Sequence, residues 1–181
     1  MKTPSEFLFY LLSISSIFYM GCVTSDDNLT ESISEMDNIS TQVITSGEFI
    51  YSEKGEVKNI LEAGRLDRSE DHEIWDVSEG FRLYIGGDKS NHQAILSGGR
   101  GNYNPNSGHL IARDGVELVN LEGEKLNTEY LVWSHDSDKV HTDRPVSIHT
   151  STGTLHGKGL EADSRFEHYR ILEPTGSFNL P

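Results

Sequence analysis

From about residue 41 to residue 172, apolar and polar residues alternate with a period of two, and each run ends at a short cluster of Gly, Asn, Asp or Ser. A period of two puts successive side chains on opposite faces of an extended strand. The pattern predicts strands near 42–51, 57–67, 74–85, 92–103, 109–121, 125–134, 139–149, 154–163 and 166–172. Between them lie SEKGE, IGGDKSN, NPNSG, EGE, HDSDK and TSTG. Such links turn antiparallel strands back on themselves and leave no room for the crossover helices that parallel strands require. The fold expected is all-β and antiparallel, with one apolar face.

The pattern also repeats. IARDGVELVNLEG (111–123) and HTDRPVSIHTSTG (141–153) align at an offset of 30, with Asp114 over Arg144, Gly115 over Pro145, Val116 over Val146 and Leu118 over Ile148. VSEGFRLYIGG (77–87) is a fainter copy. A hairpin repeated at this period builds a domain from like units stacked along an axis, with no need for one central pocket. Hydrophobic residues are 35% of the chain and part of them precede residue 21, which leaves enough for one thin layer between facing sheets.

The first of those residues are FLFYLLSISSIFYM (7–20), shorter than the roughly 20 residues of a comfortable membrane span and suited to a signal peptide. Gly21 and Cys22 then resemble the cleavage box of bacterial lipoproteins, although Tyr19 stands where leucine is usual. Cys22 is the single cysteine, so it forms no internal disulfide and serves best as a lipid anchor. The division expected is a signal peptide over 1–21, a lipidated, flexible, acidic tether over 22–40 and a folded domain over 41–181. A net charge of −14 excludes a phosphate-binding basic face, and with it nucleic acid as a partner.

Motifs that carry chemistry lack their required settings. GKGLEA (157–162) fits the glycine spacing of a dinucleotide loop, but it lies within an alternating run and no helix follows to meet a pyrophosphate. Its glycines are expected to ease sheet twist or relieve crowding. His141 and His149 share a strand phase but stand about 26 Å apart along an extended chain, too far for one zinc ion. Glu161 and Asp163 share a strand face, which does not make the cleft-spanning pair of a glycosidase. No nucleophile elbow is present. The chain is expected to be no enzyme and to need no cofactor and no metal.

Three stretches carry a family likeness: Leu126, Thr128, Glu129, Leu131 and Trp133; then Asp138, Val140, Thr142, Asp143, Pro145 and Val146; then Gly157, Gly159, Leu160, Glu161, Ala162, Asp163, Phe166, Tyr169 and Ile171. In these the chain resembles the LptC family, the periplasmic bridge component of lipopolysaccharide export, most clearly over residues 92 to 176. It departs in its N-terminus, since many members use a transmembrane helix where this chain offers Cys22.

The resemblance implies an open, V-shaped antiparallel β-jelly roll, whose two sheets line an apolar groove for the acyl chains of lipopolysaccharide. It implies a periplasmic location, anchored by lipid at the periplasmic face of the inner membrane. Its partners would be the inner-membrane ABC transporter subunits at the N-terminal end and a like-folded bridge protein at the C-terminal end. Strand phase nominates Val116, Leu118, Val146, Ile148, Leu160, Tyr169 and Ile171 as groove-lining, and aspartate at Val146 or Ile148 is expected to block lipid while the domain still folds. Core and groove present the same alternation, so ordinary packing accounts for these positions equally well. The rival reading is a lipid-anchored β-sandwich that binds sugar or protein; a sugar site would gather exposed aromatics at one loop end, whereas Trp75 and Trp133 lie far apart in the chain. A closed, lipocalin-like barrel is a third possibility.

Overall fold

A computed structural model describes residues 42–68 and 74–176. The signal peptide, Cys22 and the tether lie outside the described residues. Ten strands follow in order: β1 (Gln42–Glu53), β2 (Glu56–Arg68), β3 (Trp75–Ile85), β4 (Ala94–Gly98), β5 (Arg100–Asn104), β6 (His109–Asn120), β7 (Lys125–Ser134), β8 (Lys139–Thr150), β9 (Gly153–Asp163) and β10 (Tyr169–Thr175). All are antiparallel to their neighbours, in the order β1-β2-β3-β4-β6-β7-β8-β9-β10, with β5 bridging β3 and β6. The fold is all-β and consistent with a jelly roll. It is not a barrel, because among the described residues β1 pairs only with β2 and β10 only with β9.

Both walls come from one hydrogen-bonded sheet, where two separate sheets were expected. Pairing registers slip in mid-strand between Ala63 and Arg65, Arg113 and Val116, Asn127 and Val132, and Thr142 and Pro145. Bulges of this kind bend a strand and sharpen its twist. Left-handed backbone falls on the same line, at Glu79 (φ 60°), Asp114 (φ 66°) and Gly159 (φ 76°). The sheet therefore creases across its middle. One leaf holds 65–68, 75–78, 100–104, 109–113, 130–134, 139–142 and 160–163; the other holds 56–63, 81–85, 94–98, 116–120, 125–128, 145–150 and 153–158.

At this crease the run predicted as a single strand over 92–103 divides. Gly99 turns its N–H onto the carbonyls of Arg113 and Asp114 (3.1 and 2.9 Å), so β4 joins one leaf and β5 the other. The strand predicted from 166 begins later, at Tyr169. Residues before it form a turn held by Asp163, whose Oδ1 and Oδ2 accept the backbone N–H groups of Glu167 and His168 at 3.0 Å each.

The leaves bury their inner faces against each other. A register row of apolar side chains runs through one leaf as Phe49, Leu61, Leu83, Leu96, Leu118, Leu126, Ile148 and Leu155. A facing row runs through the other as Trp75, Tyr103, Leu110, Trp133, Val140, Ala162 and Tyr169. Together they form one continuous core cluster. The glycines of GKGLEA do relieve crowding: a Cβ at Gly157 would collide with the Ile171 side chain and the Glu173 carbonyl on β10.

Candidate functional site

The two rows do not meet evenly along their length. On the β1 side a cavity of about 390 Å³ separates them, lined from one leaf by Phe49, Tyr51, Asn59, Leu61 and Leu83, and from the other by Trp75, Tyr103, Leu110, Trp133 and His135. Planar rings set its walls. Phe49 meets Trp75 with ring centroids 5.4 Å apart, and Trp75 meets Tyr103 edge-on at 5.8 Å. Rigid rings that touch at their edges hold walls apart where branched aliphatics would interdigitate.

The mouth is drawn together by polar contacts between the leaves. His135 opens the turn after β7, two residues past Trp133, and its ring stands edge-on to Tyr51 with centroids 4.5 Å apart. Asn59 Nδ2 lies 3.1 Å from His135 Nδ1. Asn59 Oδ1 accepts the Gly86 N–H at 3.2 Å, which fixes the amide so that Nδ2 faces the imidazole. Burial pushes the Tyr103 phenol above its ordinary range, and Tyr51 and Asp136 push it the same way. Glu48, which also lines the cavity, pairs with Lys89 of the β3–β4 loop, and Lys89 pairs in turn with Glu62 of β2, tying the edge strand to the sheet.

The positions nominated from strand phase lie elsewhere. Val116, Leu118, Val146, Ile148 and Leu160 are at most 4% exposed within the packed core of β6 to β9. Tyr169 and Ile171 are half-buried on β10 against that core. None of the seven lines the aromatic cavity. The packed end has a plug: Phe166, fully buried in the β9–β10 turn, stacks on Tyr169 at 4.8 Å and offers its carbonyl to Asn120 Nδ2 at 2.9 Å across the leaves. An aspartate at Ile148 would be a buried charge with no partner, so such a variant should not fold.

The residues that sequence reasoning missed are Phe49, Tyr51, Trp75, Tyr103, Trp133 and His135. Trp75 and Trp133, distant in the chain, stand in one register row on one cavity. The available signal was position within each run: Trp75 opens β3, whereas Tyr103 and Trp133 are next to last in β5 and β7, so a meander brings all three to one rim. The C-terminal histidines point to solvent. His141, His149, His156 and His168 are all exposed, and among the described residues no three metal-binding side chains come together.

The site is thus an aromatic slot with apolar walls and a polar mouth of Glu48, Tyr51, Asn59 and His135. A profile of the family described as "Lipopolysaccharide-assembly, LptC-related" matches residues 8–176. No individual curated protein matches the chain.

Proposed function

We propose, since this chain belongs to the LptC-related family of lipopolysaccharide assembly, that the aromatic cavity is where it shelters an acyl chain of lipopolysaccharide in transit. Membership carries the general role, a periplasmic bridge component in lipopolysaccharide transport. The single observation behind the finer reading is the inter-leaf slot itself. Each methylene exposed to water costs about 0.8 kcal/mol, so a carrier needs an apolar recess that the lipid can enter. At about 390 Å³ the slot has room for about 13 groups of a water's size, about 30 Å³ each. That suits one acyl chain.

The arrangement of edges supports the partners. Among the described residues β1 and β10 each have one unpaired side, and an unpaired strand edge is a template for a strand of another chain. In this reading the β1 edge meets the inner-membrane transporter subunits and the β10 edge meets the like-folded bridge protein. Residues 1–21 are the signal peptide, Cys22 carries the lipid, and 22–40 tether the domain 41–181 to the periplasmic face of the inner membrane. The seven packed positions serve as the wall behind the slot and enter the lipid path only if the leaves part beyond it. Sugar binding is less well supported, because these rings face inward between leaves where a sugar site would present them on loops.

Bromine on an acyl chain quenches indole fluorescence at contact, and the only two tryptophans, Trp75 and Trp133, both line the slot. Lipopolysaccharide with brominated chains should quench most of the emission of the full chain. Saturable binding with emission unchanged would put the chains elsewhere.

A further inference from the structure

The contact between Asn59 and His135 joins one leaf to the other at the mouth of the slot, and both residues are fixed before their side chains meet. Asn59 is 6% exposed on β2, and its Oδ1 is committed to the Gly86 N–H at 3.2 Å. His135 extends the opposite leaf; its backbone N–H donates to the Gly108 carbonyl at 2.9 Å, and its own carbonyl accepts the Asp138 N–H at 3.2 Å. An amide nitrogen can only donate. With Oδ1 engaged, the 3.1 Å approach of Asn59 Nδ2 to His135 Nδ1 needs a lone pair on Nδ1, hence a neutral ring with its proton on Nε2. An imidazolium carries N–H groups at both positions and turns the contact into donor against donor. Rotating the amide does not rescue it, because Nδ2 would then face the Gly86 N–H.

We infer that Asn59 and His135 form a proton-sensitive latch across the mouth of the slot: joined while His135 is neutral, parted when it takes up a proton, so that a proton speeds the entry and exit of an acyl chain. This rests on reading the slot as an acyl-chain site. An imidazole changes charge between about pH 5 and 8, where ordinary carboxylates and phenols do not. Around the ring stand Tyr51 and Glu48 of β1, Tyr103 of β5, and Asp136 and Asp138 in its own turn. Among the described residues no Lys or Arg lines the slot. Lys58, next to Asn59, is held by Glu56 at 2.9 Å, and Lys89 is held by Glu48 and Glu62. His109, opposite Ser134, is exposed. No fixed cation on the slot therefore opposes an imidazolium there, and the half-buried ring can meet water once the leaves part.

The test is stopped-flow quenching of the two slot tryptophans, Trp75 and Trp133, when the full chain is mixed with an uncharged monoacylglycerol brominated near its methyl end. The rate should be roughly fivefold higher at about pH 5.5 than at about pH 8, as the loss of one hydrogen bond allows. In H135Q, which takes up no proton there, the two rates should coincide. In N59D the carboxylate accepts from the imidazolium, so the rate in acid should fall to or below the rate at the higher pH. A merely structural pair would show no such reversal. Independently, the Asn59 side-chain amide protons of the ¹⁵N-labelled native chain should shift in step with the His135 ring as it titrates. If neither variant folds, those signals decide: indifference to the ring's titration overturns the inference. Equal native rates at both pH values, or a pH-dependent rate that persists in H135Q, overturn the latch and leave the acyl-chain slot standing. No quenching at either pH overturns the slot and the inference together.

Discussion

The β1 side and the β6–β9 side of this sheet carry the same inward alternation, yet an aromatic cavity parts the leaves on the first while the second holds the fully buried leucines and isoleucines of the core and only a shallower, half-polar recess at the crease, beside Val116 and Val146. The difference lies in side-chain shape and in what closes the end. On the packed side, leucine and isoleucine in one leaf face Val140 and Ala162 in the other, and Phe166 fills the last space from a turn. On the β1 side, Phe49 meets Trp75, Trp75 meets Tyr103 and Trp133 meets His135 ring to ring, and among the described residues no buried side chain lines the cavity from a turn as Phe166 does at the other end. Apolar patterning fixes which face turns inward. Whether that face packs or hosts a guest depends on ring size and on the chain ends.

The largest break in this comparison should come from charge. Ile148→Asp places an unpaired carboxylate in the solid region and should cost more than about 4 kcal/mol, abolishing the cooperative urea transition. Tyr51→Asp, at the 43% exposed mouth, should cost less than about 1 kcal/mol. Next comes the plug. Phe166→Ala should lose about 3–4 kcal/mol and open a second cavity on the β10 side, seen as new binding of a small apolar probe such as xenon by NMR. Overfilling then separates the regions by sign. Leu126→Phe should destabilise by about 1–3 kcal/mol, while Leu83→Phe, growing into the slot, should stabilise by about 0.5–2 kcal/mol and weaken acyl-chain binding.

The smallest effect concerns the turn that carries the plug. Burial alone would raise the Asp163 carboxyl, but hydrogen bonds from the Glu167 backbone and from the His168 ring and backbone hold it below its ordinary value. A carboxylate depressed in the folded state contributes stability above its unfolded pKa of about 3.9, and that contribution is lost as pH falls through the folded value. Asp163→Asn should therefore cost about 1–2 kcal/mol at pH 7. The gap to the native chain should narrow as the pH falls through the folded value, measured by urea denaturation across pH.

Much of the fold was legible because each strand run ended at its own turn. The echo among 77–87, 111–123 and 141–153 marked more than strands: Glu79–Gly80, Asp114–Gly115 and Arg144–Pro145 all sit at the crease. The crease itself was hidden, since a bulge costs one residue of phase and alternation on either side reads as one strand. Gly99 is the case where this split a predicted strand in two. The slot was illegible for another reason. Period two tells inward from outward, but the distance between leaves at Leu118 and at Tyr103 depends on partners brought from other strands. Trp75 and Trp133 looked unrelated because their link is three strand pairings, through Tyr103 and Leu110.

Tyr103 and Tyr169 share one register row on one leaf, the first on the slot and the second beside the plug. A photoreactive phenylalanine analogue at each position, irradiated in cells that export lipopolysaccharide, asks directly where the acyl chains lie. Strong crosslinking at 103 with little at 169 is the result predicted. Equal crosslinking at both, or crosslinking at 169 alone, would mean that the chains pass through the solid end and that the aromatic slot is not their path.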